Sequence, residues 1–422
     1  MNKILLSNFP KILIYLVPLL LITGPFLSDL AVTLVSIIFL IIVFKEKIFY
    51  VFDNIFFKLF ALFYLYIVFN SLVNNQNLDS LRISITYIRF GLFSLAVAYF
   101  LNQDLNLLKK ILHCLIFCFL ILILDGIFQY FYGQNFLGFE LVYPGPRVSS
   151  LFRDELILGS YLSRLFPILF GLSLFFYQSN KQLYFLLGLS VLTLFLVFLS
   201  GERTALFLII LTLILMFFLI FKNKSFFKKV FYSAAILTVL ILSFSETLRT
   251  RIIDVTIKEM FLNDTKNKTY IFTRQHDEHY TSAIRMFKKN IILGVGVKNF
   301  RNFCDEEEFN ISDYTCSPHP HSTYIQLLSE IGIVGFLFIL MIFIILNYKL
   351  GVHWIKCLNN KPLFKDFEVC LLISIYLTLW PIIPSGNFFN NWLNIIYFYP
   401  IGIIIWALSD NIGLKKPTKN LY

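Results

Sequence analysis

His319 and His321 alternate with prolines at the head of the stretch SPHPHSTYIQLLSEIGIVGF (317–336), and a carboxylate, Glu330, follows nine residues later inside an apolar run. Imidazole is the side chain best matched to proton transfer near neutral pH. Ser317 can cap a helix and proline is tolerated in a first helical turn, so His321 is expected at a helix start. Backbone donors and the dipole at that end favour an anion. A histidine that only hydrogen-bonds lipid headgroups would give the same local pattern. Glu330 would lie ~13 Å deeper at about 1.5 Å rise per residue. A carboxylate at that depth is expensive, and pairing with an arginine of another segment is expected. Gly332 and Gly335 offer a small face for close helix packing.

The arginines are the second signal. There are eleven, and Arg89 and Arg164 fall within apolar runs, while Arg203 follows the break in LSGERTALF. Guanidinium binds phosphate oxygens in a bidentate way and stays charged. Arginines gathered near histidines suggest a phosphate- or pyrophosphate-bearing lipid substrate. Taken singly, each arginine is as well explained by snorkelling or by pairing with a carboxylate such as Glu202. HDEH (276–279) puts two imidazoles on one helical face, but no further ligand cluster is evident, and no metal site is expected. GVGVKNF is a lone Gly-x-Gly without the strand or downstream acid of a dinucleotide site. No nucleotide-binding loop is present, so neither ATP nor any other cofactor is expected.

What must position these residues is a membrane protein. Of 422 residues, 58% are hydrophobic and only 14% charged, with mean hydropathy +0.75, against roughly a quarter charged in soluble chains. Apolar runs of about 18 residues or more read as membrane spans. We expect an all-α integral membrane protein, one polytopic domain over 1–422. About twelve transmembrane helices are read, near 10–27, 29–44, 56–73, 83–101, 108–131, 156–177, 183–200, 203–221, 229–245, 321–347, 367–384 and 391–409. The first span resembles a signal peptide but lacks a clear cleavage site, and is expected to be retained. Lysines occupy alternate connections (Lys45 and Lys47, Lys109 and Lys110, Lys181, Lys222 to Lys229, Lys349 to Lys365) and the tail. That asymmetry places both termini in the cytoplasm and the arginines outside.

One large outer loop, 246–320, is expected between spans nine and ten. It contains a predicted amphipathic helix lying on the bilayer, ended by the Gly294–Gly296 turn. It also contains Cys304 and Cys316, which an oxidising compartment would allow to pair. The net charge of +11 is spread in short clusters, which suits membrane lipids and topology and not nucleic acid.

HPHSTYIQLLSEIGIVGF resembles the signature of the O-antigen ligase and polymerase family, a His-(Asn/Ser)-x-Tyr-(Leu/Ile)-Gln-x-Leu-x-Glu-x-Gly-x-x-Gly pattern. LSGERTALFLIILTLILMF, AIRMFKKNIILGVGVKNF and GPRVSSLFRDELILGSYLSRLFP are similar to other segments of that family, so the likeness runs through a core region of about 145–350. The resemblance implies a metal- and ATP-independent glycosyltransferase of the bacterial inner membrane, acting at the periplasmic face. The implied donor is a glycan on undecaprenyl pyrophosphate, and the implied acceptor is lipid A–core or another lipid-linked glycan. A ligase is expected, with a polymerase of the same family as the alternative. A secondary transporter of an anionic solute is the alternative of another class. By the resemblance, His321 is the catalytic position and Arg203 and Arg285 hold the donor pyrophosphate. Arg89, Arg153, Arg164, His319 and Glu330 are further candidates. Ser322 stands where the family more often has Asn.

Overall fold

The computed structural model describes residues 3–74, 78–142, 147–258, 270 and 272–408. The C-terminal lysines used to orient the chain lie outside them, as do parts of the long loop. Apolar stretches in lipid must satisfy every backbone group internally, and helices do so. The chain begins with α1 (Lys3–Ile22), α2 (Pro25–Glu46), α3 (Ile55–Val73), α4 (Leu78–Thr86) and α5 (Ile88–Gln103). It continues with α6 (Asn106–Tyr132), α7 (Leu158–Phe176), α8 (Asn180–Ser200), α9 (Arg203–Leu219) and α10 (Lys224–Phe244). Short α11 (Glu246–Arg249) and α12 (Val255–Ile257) lead to α13 (Arg274–Lys289) and one-turn α14 (Phe300–Phe303). Last come α15 (Thr323–Leu358), α16 (Asp366–Thr378) and α17 (Asn391–Ala407).

Each of the twelve expected ranges overlaps one of these helices. Among the described residues, eight helical stretches are long and apolar enough to cross a membrane by length and composition. Asn8–Ile22, Arg203–Leu219 and Asn391–Ala407 are shorter apolar helices. The eleventh expected span holds only α16, which stops before WPIIPSG.

The centre of the bundle is built by α5, α7, α16 and α17, where α5 packs on α17 and α7 on α16. Gly402 lets α17 approach α5 closely, since a Cβ there would meet Val97 Cβ at 2.6 Å. At the periphery, Leu62, Leu65 and Phe69 of α3 and Ile236, Val239 and Phe244 of α10 are exposed, as expected of faces turned to acyl chains.

The functional region depends on a break in α15. Gly332 adopts φ 66°, ψ −171° inside the helix. Residues 291–296 dock into that break: Val295 N–H donates to Ser329 O (2.8 Å), Gly296 N–H to Glu330 O (2.8 Å), and Ile333 N–H to Ile291 O (2.8 Å). A Cβ on residue 332 would sit 2.1 Å from Ile292 O. The signature glycine is thus required twice, for its left-handed φ and for the backbone pressed against it.

Helix α13 departs from expectation. Its inward stripe of His279, Ser282, Ala283 and Met286 is buried, and the helix packs on α15. Ala283 and Met286 join Phe300, Cys304 and Phe309 in a small separate core. Its apolar face is therefore covered by protein and not by the bilayer. Cys304 and Cys316 are joined by a disulfide, with Cα atoms 5.1 Å apart.

Candidate active site

Four imidazoles converge where α13 meets the turn before α15. The His321 ring lies 4.1 Å from His319, 5.4 Å from His279 and 5.5 Å from His276, centroid to centroid. Sequence position alone does not bring these together. His276 and His279 share a face of α13 by their three-residue spacing, and packing on α15 turns that face toward His321. Thr273 caps the helix, and its hydroxyl lies 2.8 Å from His276 Nδ1.

His321 is held in an unusual backbone conformation, φ 54°, which costs a non-glycine residue of order 1 kcal/mol or more and tends to persist at functional sites. The irregular segment 379–390 fixes it. Ser385 N–H donates to His321 O (2.9 Å), and the Ser385 and Thr323 hydroxyls are 2.8 Å apart. His319 Nε2 is 3.2 Å from Ser385 O. A carbonyl only accepts, so His319 carries its proton on Nε2.

Other signature residues serve the same scaffold. Gln326 donates to Asn387 Oδ1 (3.0 Å) and accepts from Phe388 N–H (2.9 Å), while Tyr324 donates to Leu379 O (2.8 Å). Glu330, fully buried, accepts from Lys298 N–H (3.0 Å), Phe300 N–H (3.4 Å) and Gln326 Nε2 (2.9 Å). Its hydrogen bonds are thus to backbone and an amide, not to the arginine expected for it. Such donors suit a buried carboxylate because they satisfy its oxygens without a second buried charge.

All four imidazoles are pushed toward the neutral form. Burial, reinforced by His279, lowers His321 to about 4. Burial, then repulsion from His321, His279 and Arg203, lowers His276 to about 4. Burial and His321 lower His319 to about 3, and burial lowers His279 as well. A neutral imidazole can accept a proton at neutral pH; an imidazolium cannot.

His319 and His321 open onto a cavity of about 1050 Å³ whose lining also includes Arg153, Arg164, Glu202 and Arg301. Arg164, on α7, is only 4% exposed. Its Nε donates to Ser160 Oγ (3.2 Å), its guanidinium lies 5.9 Å from the Tyr397 ring, and Nη1 has no hydrogen-bond partner. A buried guanidinium with an unused donor on a cavity wall is an anion-binding feature. Arg153 lines the same cavity with its guanidinium over Phe139 (5.4 Å).

A second pocket of about 450 Å³ holds Arg203 and His276 and shares Glu202, Thr204, Leu156 and Pro384 with the first. Arg203 opens α9 and donates to Thr256 Oγ1 (3.1 Å). Glu202, between the two pockets, accepts from Gly159 and Ser160 N–H (2.6 and 3.0 Å) at the start of α7. Burial pushes it up to about 7.

Two candidates from sequence lie elsewhere. Arg285 is exposed and donates to Glu308 O (3.4 Å) and Asn310 O (3.2 Å). It is nine residues from His276, which at about 100° per residue puts it on the opposite side of α13. Arg89 lines a different cleft and is bound to Asp29 (2.9 Å). Sequence reasoning missed Ser385, Asn387, Lys298 and Arg301 as site residues, and set HDEH aside as an isolated pair. Among the described residues, the close group of three potential metal ligands is Cys304, Asp305 and Cys316, two of which form the disulfide.

No curated protein matches the chain. Residues 188–340 match the family described as O-antigen ligase. That span contains Arg203, α13, all four clustered histidines and the break at Gly332, so the chain carries a domain of the O-antigen ligase family there.

Proposed function

We propose that this protein is an O-antigen ligase-like glycosyltransferase. It moves a glycan from undecaprenyl pyrophosphate to a hydroxyl of lipid A–core or a similar membrane acceptor, at the periplasmic face of the bacterial inner membrane. The observation that carries the reading is the neutral His321 beside a cavity walled by Arg164, whose Nη1 is unused. A twelve-span plan read from the apolar runs, with both termini in the cytoplasm by the lysine asymmetry, would put this cavity outside. The polymerase alternative differs only in the acceptor.

In the reaction, the acceptor hydroxyl oxygen attacks the anomeric carbon of the donor glycan. The bond from that carbon to the pyrophosphate oxygen breaks, and its electron pair leaves with undecaprenyl pyrophosphate. Arg164, Arg153 and Arg203 hold and neutralise the leaving anion, the electrostatic part of the barrier. His321 accepts the hydroxyl proton. Burial and the neighbouring His279 keep it unprotonated, and Ser385 holds its backbone. The pyrophosphate is already a good leaving group, so the proposed step uses neither metal nor ATP. Proteoliposomes given the lipid-linked glycan and an extracted glycolipid acceptor test this directly. Transfer that requires His321 supports the reading, and transfer unaffected by His321→Ala contradicts it.

A further inference from the structure

A cleft of about 710 Å³ lies beside the His321 cavity, lined by Arg82, Thr86, Arg89 and Asp79 together with Asn299 and Asn302. Lys298 and Arg301 line both the cleft and the cavity. No described residue lines both the cleft and the Arg203 pocket. The cleft and the Arg203 pocket thus adjoin the His321 cavity through different residues, Lys298 and Arg301 for the cleft and Leu156, Glu202, Thr204 and Pro384 for the Arg203 pocket.

The two cations are placed deliberately. Lys298 has a left-handed backbone, φ 58°, and its N–H is fixed by buried Glu330. Arg301 Nη2 donates to Pro318 O (2.9 Å), next to His319. Burial and the neighbouring Arg301 both depress the Lys298 ammonium, so an anion between them would relieve repulsion already present. In the same cleft the Arg89 charge is answered by Asp29.

Resting on the reading of His321 above, we propose that this cleft is the acceptor side of the enzyme. Lys298 and Arg301 bind an acidic group, a phosphate or a carboxylate, carried by the acceptor glycan. An acceptor held there reaches the His321 cavity past Lys298 and Arg301, residues that do not line the Arg203 pocket.

The test uses the full chain in lipid nanodiscs and equilibrium binding of four probes: glucose 6-phosphate, glucuronic acid, glucose and farnesyl pyrophosphate. Either acidic sugar should bind tighter than glucose. The double variant K298Q/R301Q should weaken that probe by about 10–100-fold, the size of one or two charge-assisted hydrogen bonds, and by a larger factor than it weakens farnesyl pyrophosphate. Which acidic sugar prevails distinguishes phosphate from carboxylate. Equal binding of glucose and both acidic sugars, or acidic-sugar binding unchanged in the double variant, overturns the proposal. Acidic-sugar binding through Lys298 and Arg301 without any farnesyl pyrophosphate binding supports this site while removing the donor assignment.

Discussion

The His279 ring lies against that of His321, with centroids 5.4 Å apart and planes 27° apart. Helix α13 of the long loop and the turn before α15 therefore meet at one pair of imidazoles. Two like rings at this distance cannot both be charged cheaply. Their contact helps keep His321 neutral and ready to accept a proton.

This sets the pH dependence. The His321 pKa is lowered to about 4, so the base form persists below the usual histidine range of about 6.5. The acid limb of kcat/KM should fall near pH 4 and not near 6.5. His279→Asn should move that limb upward by removing the repulsive partner. A bound pyrophosphate should move the limb of kcat upward relative to that of kcat/KM. A single limb at about 6.5, unaltered by His279→Asn, contradicts this.

Arg164 and Arg285 should separate cleanly. Arg164→Gln removes a buried donor from the cavity wall and should lower turnover by about 10²–10³-fold, the usual effect of losing one donor to a developing anion. Arg285→Gln removes only exposed contacts to two carbonyls and should retain activity within about threefold, since surface changes seldom exceed about 0.5 kcal/mol. Steady-state rates of the two variants, normalised to folded protein, check both.

The dock on α15 should be the most sensitive structural point. Gly332→Ala places a Cβ against Ile292 O, and the protein should fail to accumulate in the membrane. Glu330→Gln keeps one oxygen, enough for the Lys298 amide and Gln326 Nε2 but not also for the Phe300 amide, and should destabilise less than Glu330→Ala. Glu330→Ala strands those donors and should destabilise by about 1–3 kcal/mol for each donor left unsatisfied. Thermal unfolding of the purified variants orders them.

The disulfide reports sidedness. Cys304 and Cys316 close a short loop that ends just before Ser317, and such a cross-link contributes about 3 kcal/mol. In intact cells the two thiols should resist alkylation until a reductant is added, while Cys357 remains shielded from a membrane-impermeant reagent. Free Cys304 and Cys316 in non-reduced cells would place the loop in the cytoplasm.

Much of this was legible in sequence. Apolar runs located the helices because every backbone group in lipid must be satisfied locally. The signature contains Gly332, but the glycine pair reads as a face for close helix packing, whereas Gly332 breaks α15 and residues 291–296 bond into the break. The partners of Glu330 were not legible, since a buried carboxylate reads as an ion pair unless long-range backbone donors are known. Arg285 is exposed on α13 and bonded to two carbonyls, a placement that a motif does not reveal because it fixes a position along the helix but not which face turns inward. His276 and His279 were visible as a pair, but their meeting with His319 and His321 depends on how α13 packs against α15. Segment 379–390 read as the end of a span, although its prolines, Ser385 and Gly386 suit irregular backbone lining a cavity.

The most direct test is release of undecaprenyl pyrophosphate by the full chain in proteoliposomes containing the lipid-linked glycan and extracted glycolipid acceptor. Wild type should release it together with glycan transfer, and His321→Ala should slow both by about 10²–10⁴-fold, the usual contribution of a general base. Release and transfer at the wild-type rate in His321→Ala, with the protein folded, would contradict the account.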